Sequence, residues 1–195
     1  IATFFPAGYN KQKIHEVAYM MNDTLILVDA CDRAIGTAGK SEAHRAPLLH
    51  RAFSVFLYDD SGPEPALILQ QRALTKYHSG GLWCNTCCSH PRPGETILAA
   101  AERRLEEELG ITGCRGLREL TSFVYLHKFH EQLYEYEYDH VLLGTYRGPV
   151  QPNPEEAMAI QKVSASALAE GLRLSPASYA SWFLTAAPMV LRALS

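Results

Sequence analysis

The stretch from Ser89 to Ile111, SHPRPGETILAAAERRLEEELGI, decides the fold class. Pro93-Gly94-Glu95 opens a helix expected over residues 96–109, and Gly110 stops it. At about 100° per residue, Ile97, Leu98, Ala101, Leu105 and Leu109 fall on one apolar face. Glu106 and Glu107 point well away from that face, and Glu108 sits near its edge with Arg104 one turn earlier. Two readings follow. Arg104 and Glu108 can form a structural ion pair on a solvated helix, or Glu108 can be held at the interior to bind a cation.

On either side of this helix the pattern changes to strands. Residues 24–29 (TLILVD), 50–58 (HRAFSVFLY) and 66–71 (ALILQQ) read as strands, the last two joined through the turn-rich DDSGPEP. Two β-rich stretches follow near residues 121–129 and 134–146, and the chain from Ser164 onward is mostly helical. Strands mixed with a few helices give an α+β layer fold.

A chain of 195 residues points to one domain. It buries roughly 70% of its unfolded surface and needs no disulfide or metal staples. The net charge of −3 supplies no electrostatic reason for nucleic acid or an anionic membrane as a partner. No apolar run approaches the roughly 18 residues of a membrane span. The leading IATFFPAG lacks a basic cluster and is broken by Pro6, so it is a poor signal peptide, and residues 1–23 read as a poorly defined extension. Five cysteines, an odd count, argue for reduced thiols and a cytoplasmic location. The sequence leaves the oligomeric state open.

Several residues carry chemistry. Glu135 and Glu137 face the same side of a strand, where the two carboxylates repel unless water or a cation compensates. A solvated edge strand and a shared metal both satisfy this pattern. His44, His50 and His90 lie just before, or at the start of, elements that can converge, and imidazoles with two carboxylates suit a divalent ion. The other five histidines read as ordinary surface or core residues. Cys84 and Cys87 read as buried inert thiols, and a CxxC redox or zinc role lacks a second CxxC or a βαβ surround. Cys88 differs. It lies two residues from His90 and shortly before a helix N-terminus, both of which can tune its pKa toward reactivity. Arg72 and Lys76 read either as a solvated loop or, with a phosphorylated substrate, as a diphosphate clamp.

The strings LLHRAFSVFL, QQRALTKYHSGGLW, NTCCSHP, RRLEEELGI and EYEYDHVLL resemble the type I isopentenyl-diphosphate isomerases, which are built on the Nudix fold. The resemblance runs from about residue 24 to Trp182. It implies a Nudix-type mixed β-sheet sandwiched by helices. It also implies the isomerisation of isopentenyl diphosphate to dimethylallyl diphosphate by protonation and deprotonation. The family's cysteine falls on Cys88, and its metal ligands on His44, His50, His90, Glu135 and Glu137. The resemblance further implies that Glu137 is also the catalytic acid/base, with Tyr125 hydrogen-bonded near it, and that Glu108 reaches a magnesium bound to the substrate diphosphate. By the same resemblance Arg72 and Lys76, with Lys40, contact the diphosphate, and Trp182 is an aromatic cap. The resemblance thus implies Mg²⁺ with the substrate and one further divalent ion, Mn²⁺, Zn²⁺ or Mg²⁺, at the His/Glu site. In the forward direction it suggests that Glu137 delivers a proton and Cys88 takes one.

A Nudix diphosphate hydrolase is the rival. Hydrolases of this fold carry G-x5-E-x7-R-E-U-x-E-E-x-G-U, with U apolar; here Ser89 replaces the first Gly and Arg104 replaces the Glu after the Arg. A carboxylate needed for the hydrolytic metal cluster is therefore missing. A binding module without chemistry is the other alternative, and the set Cys88, His90, Glu135 and Glu137 argues against it.

Overall fold

The computed structural model describes residues 24–195, and the extension expected over 1–23 lies outside the described residues. In chain order come β1 (Thr24–Val28), β2 (Ala34–Gly39), α1 (Lys40–Arg45), β3 (His50–Asp59) and β4 (Ala66–Arg72). The short strands β5 (Trp83–Cys84) and β6 (Cys87–Ser89) precede α2 (Ile97–Leu109). The long hairpin β7 (Arg115–His130) and β8 (Leu133–Thr145), β9 (Ala157–Ser164), α3 (Ala165–Leu174) and α4 (Ser181–Leu194) complete the described residues.

Helix α2 ends where the sequence predicts. The Thr96 side chain accepts a hydrogen bond from Ala99 N, satisfying one of the free amides of the first turn. Gly110, at φ 61°, closes the other end in the left-handed region that glycine adopts without a Cβ clash. Its buried face, however, is rotated from the expected one. Leu98 is 43% exposed, whereas Ala100, Ala101, Leu105, Glu108 and Leu109 are buried. This rotation turns Glu108 inward. The mostly helical C-terminal part is interrupted before its last helix. The Ala180 amide donates to the Trp83 carbonyl at 3.0 Å and the residue stays extended, so α4 starts only at Ser181.

All nine strands of the described residues belong to one mixed sheet. β3 is its pivot. It runs parallel to β8, pairing His50 with Glu137, and antiparallel to β6, pairing Ser54 with Cys88. β4 pairs antiparallel with β9, and the register shifts between Gln71 and Arg72, where Gln71 meets Ala159 and Arg72 meets Ala157. The period of two then sorts the core into layers. Phe53, Val55, Leu57 and Leu142 pack with Ala101, Leu105 and Leu109 of α2 on one face. Phe56, Val141 and Leu143 pack with Leu168 of α3 and with Trp182, Phe183 and Val190 of α4 on the other. The sheet is thus sandwiched by helices, as expected.

Candidate active site

Strand alternation places Glu135, Glu137 and Asp139 on one face of β8, all buried. The parallel pairing with β3 sets His50 beside Glu137. α1 brings a fully buried His44, and the turn after β6 brings His90. One ligand atom each from His44, His50, His90 and Glu135 lie within 4.8 Å of one another. Glu137 joins them, its Oε1 2.9 Å from His90 Nε2 and 3.6 Å from His50 Nε2.

The donor set fits a divalent cation. Both nitrogens of His44, Nε2 of His50 and Oε2 of Glu135 are buried with no hydrogen-bond partner. Unmade hydrogen bonds of this kind cost roughly 1–3 kcal/mol each, so His44 Nε2, His50 Nε2 and Glu135 Oε2, which face one another, call for a shared partner. The His50 ring is oriented for it. Its Nδ1 lies 2.8 Å from the Leu48 carbonyl and must donate, which leaves the Nε2 lone pair facing Glu135 and Glu137. Burial drives His44 down to about 3, so its ring is neutral, as a ligand requires. Burial opposes charge on Glu137, yet the adjacent imidazoles of His50 and His90 hold its carboxyl well below the usual range.

Beside this cluster lies an open pocket. It brings together Cys88, Glu137, Tyr125, His90, Glu135 and Glu108 with Lys40, Arg72, Lys76 and Trp182. His44 and His50 are buried behind its wall. The Tyr125 hydroxyl donates to Glu137 Oε2 at 2.6 Å.

Cys88 contrasts with Cys84 and Cys87, which are fully buried. It lines the pocket, and the Arg72 guanidinium lies 3.8 Å from its sulfur. The expected lowering of its pKa is corrected. A hydrogen bond with Cys84, followed by burial, raises the thiol well above its ordinary value, and Arg72 only partly offsets this.

Arg104 and Glu108 form the ion pair of the first reading, and Glu108 is buried rather than solvated. Arg104 Nη2 donates to Glu108 Oε1 at 2.6 Å, and both line the pocket. Arg104 also reaches Glu156 at 3.2 Å, and Glu156 pairs with Lys76. The basic side chain at position 104 therefore neutralises carboxylates where the hydrolase pattern places one more acid.

Trp182 is core and pocket wall at once. It is 3% exposed, its indole N–H donates to Asn85 Oδ1 at 3.0 Å, and Arg72 lies 5.2 Å from its ring. Asn85, Tyr77, His78 and Glu156 are the contributors that sequence reasoning missed. Each acts through residues distant in the chain, such as His78 on Glu135 across 57 positions, and leaves no local pattern.

Comparison with known proteins agrees with this geometry. The chain matches the NUDIX domain over residues 48–183. It is 46% identical over 165 residues to the isopentenyl-diphosphate Delta-isomerase of Serratia proteamaculans, covering 85% of this chain and 89% of that relative. It is 45% identical over 178 residues to the enzyme of that name from Photobacterium profundum, covering 90% of this chain and 98% of that one. A crystal structure of a Deinococcus radiodurans protein superposes with a TM-score of 0.67 at 19% identity, over 88% of this chain and 99% of that one, which supports the fold alone.

Proposed function

The chain belongs to the isopentenyl-diphosphate Delta-isomerases of the NUDIX family, and from that premise we propose that Cys88 and Glu137 carry the two proton transfers of its reaction. The protein isomerises isopentenyl diphosphate to dimethylallyl diphosphate in isoprenoid biosynthesis. The observation that carries the residue assignment is a single pocket lined by a thiol, a carboxylate tied to a phenol, and basic side chains.

The double bond moves with no redox change. One proton is added at the terminal alkene carbon and another leaves C2, so the atoms balance. Protonation of an unactivated alkene builds positive charge at the tertiary C3, and the site must supply an acid, a base and electron-rich surroundings. Cys88 on β6 and Glu137 on β8 flank β3 from opposite sides and serve as that pair. Tyr125 holds Glu137 through its Oε2. Trp182 presents an aromatic ring to the developing cation. Arg72 and Lys76, with Lys40, bind the diphosphate. Burial keeps water from trapping the cation.

His44, His50, His90, Glu135 and Glu137 would hold one divalent ion, Mn²⁺, Zn²⁺ or Mg²⁺, and Glu108 would reach Mg²⁺ carried by the diphosphate. Such ions supply positive charge that tunes carboxylate acidity and neutralises phosphate. The nine-stranded sheet, which includes every strand of the described residues, supports the single-domain reading of the chain for residues 24–195. Among the described residues no helix is long and apolar enough to cross a membrane. Their five cysteines are unpaired, which supports a reducing, cytoplasmic setting.

The test is incubation with isopentenyl diphosphate and Mg²⁺, followed by product analysis, for the wild type and for Cys88→Ala and Glu137→Gln. Dimethylallyl diphosphate from the wild type and neither variant is expected. Full turnover by either variant removes that residue from the pair. Release of monophosphate would favour hydrolysis, which Arg104 in place of an acid opposes.

A further inference from the structure

Glu135 and Glu137 are held in the same way. On Glu137, Tyr125 binds Oε2 and the His cluster faces Oε1. On Glu135 the roles reverse: Oε1 is bound from the side, and Oε2 has no hydrogen-bond partner and lies 3.5 Å from His44 Nε2 and 3.9 Å from His50 Nε2. The side partners of Glu135 Oε1 are Tyr77, whose hydroxyl donates at 3.1 Å, and His78, whose Nε2 lies 2.7 Å away. We propose that Tyr77 and His78 are positioning residues that set the divalent-metal affinity of the His/Glu site by clamping Glu135 with Oε2 toward the histidines. This rests on the reading of that cluster as a metal site.

The clamp is built rather than incidental. The His78 tautomer is assigned by its two neighbours: the Ser79 hydroxyl lies 3.2 Å from Nδ1 and can donate to it, which leaves Nε2–H to donate to the carboxylate. The ring is stacked on Phe129 at 4.2 Å and meets Trp182 edge-on at 5.6 Å, so it has little freedom to leave. Tyr77 stacks on His44 at 5.7 Å and therefore touches a ligand on each side of the cluster.

The intervening loop between β4 and β5 is shaped to deliver both rings. Ser79 adopts φ 53°, a conformation costing a non-glycine residue roughly 1–2 kcal/mol, and such strain persists only where the surroundings impose it. At Gly80 a Cβ would lie 2.9 Å from the Leu74 carbonyl oxygen, so only glycine fits the turn. The loop base is closed by Arg72 N to Leu82 O and Gly81 N to Arg72 O, both at 3.0 Å. The same segment carries Lys76 toward the diphosphate side of the pocket.

The test is Mn²⁺ binding to the substrate-free full chain, measured by calorimetry for wild type, His78→Ala, His78→Gln, Tyr77→Phe and Glu135→Gln. Partners of metal ligands typically govern 10–100-fold of affinity. We expect His78→Ala to weaken binding about 10- to 100-fold. His78→Gln, whose amide N–H can replace Nε2–H, should recover to within a few-fold of wild type. Tyr77→Phe, which keeps the ring against His44, should lose about 3- to 10-fold. Urea midpoints of the metal-free Gln and Phe variants should stay near wild type, which a merely structural role would not predict for altered affinity. Wild-type affinity in both His78→Ala and Tyr77→Phe, with Glu135→Gln impaired, overturns the proposal alone. Wild-type affinity in Glu135→Gln as well overturns the metal-site reading beneath it. Should His78→Ala fail to fold, His78→Gln and Tyr77→Phe still decide: equal loss in both, tracking lower urea midpoints, refutes positioning.

Discussion

Replacing Trp182 separates its two roles, because packing and cation stabilisation differ in size and in the assay that reads them. The indole is 3% exposed and its N–H satisfies the buried Asn85 Oδ1 at 3.0 Å. Trp182→Phe keeps an aromatic face but orphans that oxygen, at a cost of about 1–3 kcal/mol. Trp182→Leu loses in addition roughly 80 Å² of apolar burial, about 2 kcal/mol at ~25 cal/mol/Å², and leaves a cavity. Its total loss should reach about 3–5 kcal/mol, so the residue cannot be exchanged without a folding penalty, contrary to what a cap loosely laid over substrate would allow. The cation effect is smaller. An indole face attracts a cation by roughly 0.5–2 kcal/mol, which corresponds to about 2- to 30-fold in affinity. The assay is calorimetric binding of an ammonium analogue of the C3 cation and of its isosteric neutral counterpart, at a temperature where urea titration shows each variant folded. The ratio of the two affinities should fall only slightly in Trp182→Phe and by about 2- to 30-fold in Trp182→Leu. An unchanged ratio in folded Trp182→Leu, or equal falls in both variants, would refute an aromatic role in binding the cation.

Cys88→Ala should abolish turnover while diphosphate binding survives, whereas Cys87→Ala, in the core against α2, should keep most activity and cost about 1 kcal/mol; equal loss of turnover from both would sink the distinction. Glu108→Gln should retain the ion at the His/Glu site by elemental analysis but lose Mg²⁺-dependent substrate binding. Loss of that first ion would place Glu108 among its ligands. Glu95 is held down to about 2 from 4.5, chiefly by its hydrogen bond from Arg103. Its contribution to stability is thus complete above about 4.5 and lost as pH falls toward 2, so Glu95→Gln should lower the urea midpoint at pH 7 and narrow the gap between pH 7 and pH 3. An unaltered gap would contradict this.

What was legible in the sequence was whatever local periodicity encodes. The α2 helix, its glycine stop, the side shared by Glu135 and Glu137, and the strands around His50 and Leu67 follow from spacing alone. β2, with the sequence AIGTAG and mostly exposed, shows no alternation and went unread, as did the two- and three-residue β5 and β6. The facing of Leu98 and Ala100 was decided by how α2 seats on the sheet, a tertiary outcome that apolar spacing does not resolve. The clamp residues Tyr77 and His78 and the half-buried Glu156 gain meaning only from partners that folding brings near.

The parallel alignment of His50 with Glu137 also has a temporal consequence. A parallel neighbour cannot be reached by a tight turn, and this one forms only after a long loop has closed, the slowest class of contact in folding. As the chain leaves the ribosome, His44 and His50 emerge early and wait for β8 before any carboxylate can join them. On the proposed reading of these side chains as metal ligands, an ion would meet the assembled set only at the end of folding. Its binding energy would then act on the finished sheet, slowing unfolding more than it hastens folding.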